Sequence, residues 1–193
     1  MKLNILVKAF VALGLATGFS VTLAAEKEKP TPEVQEKVTK AIKEAFPDAV
    51  IGEMAKEKED GLDVIGVLFT SNGKKIDGDV TPDGILVETE EAADISTFPE
   101  PAAKALKKAT KKTKASFEIA RTFAKAEKDA SGAMKVTKLA EPTIAYEADV
   151  EKDGKKGEFA FDAEGKLLER PKWAKSESKE KGQEGEKEEK EGK

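Results

Sequence analysis

The chain has 193 residues, with 34 Lys and Arg against 38 Asp and Glu, no Cys, no His and 6% aromatic residues. Without Cys or His there is no thiolate nucleophile, disulfide, haem ligand, imidazole base or ordinary zinc site, so only carboxylate, amine and hydroxyl chemistry remains. A formal charge of −4 spread over so many charged side chains describes a mixed, solvated surface and excludes a nucleic-acid-binding field.

Residues 1–25 carry Lys2 and Lys8, no acid, and an apolar run from Ala9 to Ala25 that ends on small residues just before Glu26-Lys27-Glu28-Lys29. That layout predicts a signal peptide and an exported protein, periplasmic or secreted. The uncharged run of ~17 residues is at the lower edge of the ~17–25 that span a bilayer, and it contains two glycines, Thr and Ser. No stable membrane span is therefore expected after cleavage. Loss of the segment removes two positive charges and leaves a net of about −6. An exported chain could hold disulfides, yet this one has none to form, so its stability has to come from packing.

Residues 26–30 read as a linker. From Pro32 to Phe46 the spacing of Val34, Val38, Ala41, Ile42, Ala45 and Phe46 predicts a helix, with Thr31 as N-cap, Pro32 at the first helical position and Pro47-Asp48 as its end. Strands are predicted over 49–58, 62–71, 74–80 and 85–90, separated by Glu59-Asp60-Gly61, Asn72-Gly73 and Pro82-Asp83-Gly84, which are hairpin signals. A second helix is predicted over 99–112, with Ala102, Ala105, Leu106 and Ala109 inward.

From there the pattern repeats. Residues 63–89 align without a gap on residues 144–170, matching Asn72-Gly73-Lys74-Lys75 with Asp153-Gly154-Lys155-Lys156 and Asp83-Gly84 with Glu164-Gly165. The expectation is an α+β protein of two tandem repeats, residues 31–95 and 96–173, each a helix followed by a three- or four-stranded antiparallel meander, with the helices on one sheet face. Residues 115–143 leave two readings open. Phe117, Ile119, Arg121 and Phe123 alternate as in a strand, while Phe117, Ala120 and Ala124 fit a helical face. Residues 174–193, almost wholly Lys, Glu, Gly, Ser and Gln, have nothing to bury and predict a disordered charged tail.

The run Val38-x-x-Ala41-Ile42-x-x-Ala45-Phe46-Pro47-Asp48-Ala49, followed by a lysine-bearing Asn-Gly turn and a strand closing on Asp83-Gly84-Ile85-Leu86-Val87-Glu88, resembles the PepSY-like domains, grouped with the beta-lactamase-inhibitory-protein fold. The second copy shows the pattern over Ala102 to Ala109 and Tyr146 to Glu169, but has Thr110-Lys111-Lys112-Thr113 where Phe46-Pro47-Asp48 would stand. The resemblance implies an exported, non-enzymatic domain of the sort found beside or within secreted peptidases, which binds or restrains proteins. It also implies helices on one face of an antiparallel sheet, with the other face open to a partner.

Strand parity supplies candidate positions. Ile65, Val67 and Phe69 share a parity with Tyr146, Ala148 and Val150 and are expected under the helices. The opposite parity holds Val64, Gly66 and Leu68 in one copy and Ala145, Glu147 and Asp149 in the other. Val64 and Leu68, apolar on the open side, and Trp173, the lone Trp, are the partner-binding candidates.

The stretch Asp79 to Glu90 resembles a calcium loop, but Thr81 occupies its third position and no helix flanks it, which is the pattern of a plain hairpin. Six lysines between Lys104 and Lys114 form a basic helix that reads as a solvated face, or as a docking face for anionic lipid or an acidic protein. Neither a nucleophile motif nor a carboxylate pair in an apolar setting marks a catalytic centre. The sequence therefore predicts a non-enzymatic protein without cofactor or metal, binding a protein or peptide through the open sheet face or an exposed strand edge. The alternatives are a calcium or small-ligand carrier and an envelope protein tethered by its tail.

Overall fold

The computed structural model describes residues 28–59 and 61–175. The expected signal peptide and most of the expected tail lie outside the described residues. Pro32 opens helix α1 (Pro32–Ala45), behind an extended Thr31 whose hydroxyl caps nothing. Glu33 lies in the first turn and Lys43 in the last, each complementing the helix dipole. Lys37 pairs with Glu33 at 2.7 Å. The buried stripe is Val38, Ala41 and Ile42.

Strands β1 (Val50–Glu59), β2 (Leu62–Ser71), β3 (Lys74–Val80) and β4 (Leu86–Ala92) follow. Asn72-Gly73 turns β2 into β3 with φ of 51° and 75°, the doubly positive geometry that suits a two-residue hairpin. A 3-10 turn at Ile95–Thr97, capped by the Asp94 carboxylate, leads into α2 (Glu100–Ala109). The chain then runs through β5 (Lys114–Lys128), β6 (Met134–Lys152), β7 (Lys155–Phe161), β8 (Leu167–Glu169) and the two-residue β9 (Ala174–Lys175). The open question over 115–143 resolves as strand: β5 and β6 form the longest hairpin among the described residues.

The expectation of an α+β chain built as two tandem helix-plus-meander repeats is corrected. The described residues form one antiparallel sheet, strands β1 to β8 in sequence order, with β9 beside β7 and only two α-helices. What joins the predicted halves is β4–β5 pairing, Glu88 to Ala92 against Thr122 to Glu118. Turn signals report local hairpins. A ladder between strands separated by a whole helix leaves no such mark.

Ile76, Glu91, Ile119 and Tyr146 are successive cross-strand partners, so they share one sheet face. Both helices cover that face. The α1 stripe packs on Ile65, Val67, Phe69, Ile76, Val80 and Leu86. Leu106 of α2 packs with Phe98, Ala148, Val150 and Phe161. At the sheet edges stand β1, which carries a bulge between Ile51 and Met54, and the three-residue β8.

Gly165 secures the second helix to the sheet. Its φ is 76°, and a Cβ there would lie 2.6 Å from the Pro101 carbonyl oxygen at the start of α2. Gly73 has a similar φ of 75° but open space around it. Gly165→Ala should cost about 2–3 kcal/mol, from backbone strain and a backbone clash together, whereas Gly73→Ala should cost about 1 kcal/mol from strain alone. Urea unfolding midpoints of the two variants check the difference, and equal midpoints would refute the contact.

Candidate functional site

The face opposite the helices follows from the register, because cross-strand partners and alternate residues along a strand point the same way. One row across β2 to β6 is Leu68, Asp77, Glu90, Ala120 and Ala145. Beside it, Asp79 faces Glu88, which faces Thr122. On the other flank Glu118 faces Glu147, Glu147 faces Ala160 and Ala160 faces Glu169. Asp149 and Glu158 form a further pair. These rows place nine carboxyl groups on one side of the sheet, with Lys75 and Lys156 at the margins. The sheet is thus acidic on one face and apolar on the other.

Glu147 occupies the middle of this field. It is 8% exposed, and among the described residues no hydrogen bond or ion pair holds its carboxyl group. Burial, followed by the nearby Glu158, Glu88, Glu90 and Glu118 carboxyls, holds its pKa well above the ordinary range. Glu158 is pushed up to about 8 by burial and then by Asp149, Glu169, Glu88 and Glu118. Burial, then Asp149 and Asp77, raise Glu118 to about 7. Burial also raises Asp149, against the opposing pull of Lys156. On the helix side, by contrast, the buried Glu91 is paired with Lys74 at 2.6 Å and with Arg121 at 3.5 Å.

The three candidates from the sequence do not come together. Leu68 is 44% exposed at the end of its row, beside Asp77. Val64 is 2% exposed; with Leu62 and Val87 it lies under Ala126, Met134 and Val136, from the outer part of the β5–β6 hairpin. Trp173, 41% exposed, rests over Gly157 and lines a shallow pocket of about 330 Å³ with Phe159, Lys108, Lys111, Lys112 and Lys152. That pocket lies at the C-terminal end of α2, away from Leu68.

The Asp79 to Glu90 stretch is the β3–β4 hairpin. The Thr81 amide donates to the Ile85 carbonyl, the Gly84 amide donates to the Thr81 carbonyl, and the Thr81 hydroxyl donates to Asp83 while accepting from the Ile85 amide at 2.9 Å. Among the described residues no group of three or more acidic side chains is arranged to hold a metal ion. No described helix is long and apolar enough to cross a membrane.

A mostly antiparallel sheet with two helices on one face and the other face open defines a class of fold. A BLIP-like protein from Bacteroides fragilis NCTC 9343 has this fold: it superposes with a TM-score of 0.51 at 15% identity, over 80% of this chain and 93% of that one. A DUF2874 family protein from Bacteroides ovatus ATCC 8483 matches with a TM-score of 0.48 at 16% identity, over 75% of this chain and 89% of that one. The fold is thus BLIP-like, as the sequence resemblance implied. No family model matches the chain, and neither does any curated protein.

The sequence reading missed most of the acidic face. Parity placed Glu147 and Asp149 there, but Asp77, Glu90, Glu118 and Glu158 join them only through the ladders between neighbouring strands.

Proposed function

We propose that this chain is an exported, non-enzymatic PepSY-like protein that holds a protein or peptide partner on the open face of its sheet. The observation that carries this reading is the face itself, a sheet surface bounded by Leu68 at one end and left uncovered by both helices. The mechanism is steric: a preformed β surface needs little reordering to bind, and it occludes whatever it covers, such as a secreted peptidase. The basic, apolar start of the chain and the BLIP-like fold support export and binding respectively. Raised carboxyl pKa values near neutrality would also suit a general acid, but the sequence carries no nucleophile motif to work with them.

Within this reading Leu68 is an anchor, Val64 packs beneath the hairpin, and Trp173 belongs to a separate surface. Capture from envelope extract should therefore fall at least tenfold for Leu68→Glu and stay at the wild-type level for Trp173→Ala. Undiminished capture by the Leu68→Glu protein would remove the sheet face as the binding surface.

A further inference from the structure

Cations from two directions meet where α2 ends. Lys108, Lys111 and Lys112 come from the helix end and Lys152 from β6; all four are exposed and line one shallow groove with Phe159 and Trp173. The helix dipole favours Lys107 and Lys108 in the last turn of α2, but it does not account for lysines on strands. There Lys152 faces Lys155 directly across β6 and β7, and like charges so placed repel unless counter-charge lies over them. Glu151 supplies none, because it has the opposite parity, on the acidic side of the sheet. Among the described residues none of the four groove lysines has an ion pair, whereas Lys37, Lys56, Lys58 and Lys74 each reach a carboxylate. Trp173 is the chain's only Trp, and at 41% exposure it is left partly in water. An indole has a large apolar body and one polar N–H, so it is favoured where an apolar phase meets water.

We infer that this end of the molecule is a docking surface for a bilayer rich in anionic headgroups, with Trp173 seated at headgroup level and Lys108, Lys111, Lys112 and Lys152 set against the lipid phosphates. Attachment is peripheral, through side chains alone. Every cation lining the groove is Lys, a compact point charge drawn to a field of many phosphates, and none is Arg, whose planar fork matches a single carboxylate. The chain's own end does not suit the groove. Residues 176–193 comprise only Ser, Glu, Lys, Gly and Gln, so they have nothing apolar to lay on Phe159 and Trp173. Trp173 rests over Gly157, the partner of Val150 in the core under α2, which puts the groove on the helix side of the sheet. Docking there leaves the opposite face of the sheet uncovered, and it holds whether or not that face binds a protein.

The test uses the full chain as recovered after export, sedimented with phosphatidylcholine vesicles that either contain or lack phosphatidylglycerol. Wild type should bind the anionic vesicles, lose them as salt rises, and bind the neutral ones about tenfold more weakly. Because Trp173 is the only Trp, its emission reports directly from the groove and should shift to shorter wavelength on binding. A Lys111→Gln/Lys112→Gln/Lys152→Gln variant, shown folded by circular dichroism, should bind anionic vesicles about tenfold more weakly than wild type. Lys40→Gln/Lys43→Gln/Lys75→Gln, which removes the same charge from exposed positions elsewhere, should bind like wild type. Equal weakening in both triple variants would reduce the effect to net charge and overturn the inference. So would equal binding to neutral and anionic vesicles, or binding that leaves the Trp173 emission where it was. Fluorescein-labelled decaglutamate that binds through the groove lysines, with no sedimentation on vesicles, would make an acidic protein the occupant and overturn the lipid assignment.

Discussion

Between pH 5 and pH 8.5 the thermal midpoint of this protein should fall by about 10 °C. The cause is the acidic face. In the folded chain Glu118 titrates at about 7 and Glu158 at about 8, and Glu147 and Asp149 are also raised, whereas in the unfolded chain these groups return to ordinary carboxyl values. Across that interval the native state holds more protons than the unfolded state, so stability declines as pH rises. The contribution is whole below the ordinary carboxyl range and is lost as pH rises through the raised values, about 7 for Glu118 and about 8 for Glu158. Each unit of displacement is worth about 1.4 kcal/mol, and partial solvent access at Glu118 and Glu158 reduces the sum to a few kcal/mol.

At the acid end the sign reverses. Asp48, held low by the Ser71 hydroxyl and the Asn72 amide, and Asp94, held low by the Ser96 amide, stabilise only when ionised. A stability maximum between pH 4 and pH 5 follows. Scanning calorimetry at several pH values checks it, and Glu118→Gln/Glu147→Gln/Glu158→Gln should flatten the alkaline decline. An unaltered slope in that variant would place its origin elsewhere.

Phe69→Ala should be the most damaging single substitution in the sheet, at about 3–5 kcal/mol. Phe69 is buried with its ring centroid 5.2 Å from that of Phe46, which in turn lies 6.2 Å from Phe123. Its ring fills the place a side chain would take at Gly78, where a Cβ would come within 3.1 Å of it and 3.5 Å of Ile42. Truncation therefore opens a cavity bordered by a residue that cannot fill it. Against a total stability on the order of 5–15 kcal/mol, such a loss moves the urea midpoint far down or prevents folding at 37 °C. Leu68→Glu, one residue earlier but on the other face, should change stability by less than about 1 kcal/mol. Similar losses at the two neighbours would contradict the assignment of faces.

The sequence was most informative where physics acts locally. Period-3.6 spacing and Pro32 located α1, and Asn72-Gly73 and Asp153-Gly154 located two hairpins whose positive φ values the structure shows. Parity along β2 and β6 correctly separated Phe69 from Leu68 and Ala148 from Glu147. The limits of local signals explain the rest. The repeat of turn chemistry suggested two units because nothing in residues 88–92 and 118–122 announces that they pair with each other. Val64 was legible as apolar on the open side and Lys128 to Gly132 as the tip of a longer hairpin, but that this hairpin covers Val64 was not, because residues 117–124 fitted both strand and helix periods. The sheet divides the acid-rich β4, sending Glu88 and Glu90 to the open face and Glu91 to Lys74 and Arg121.

The two ends of the sheet shape how such a protein can recognise anything. At one margin β1 bends at its bulge and presents Glu53, Lys56, Glu57, Lys58 and Glu59, with the Lys56 amide already donating to the Glu28 carbonyl. At the other, β8 is three residues long. Neither margin offers a visiting strand a long, straight run of main-chain groups, so both resist strand addition and the fibrous stacking it leads to. Recognition is left to side chains, whose charge can be changed one residue at a time. Selectivity for one target over another can then be retuned by a few substitutions without disturbing the backbone that presents them.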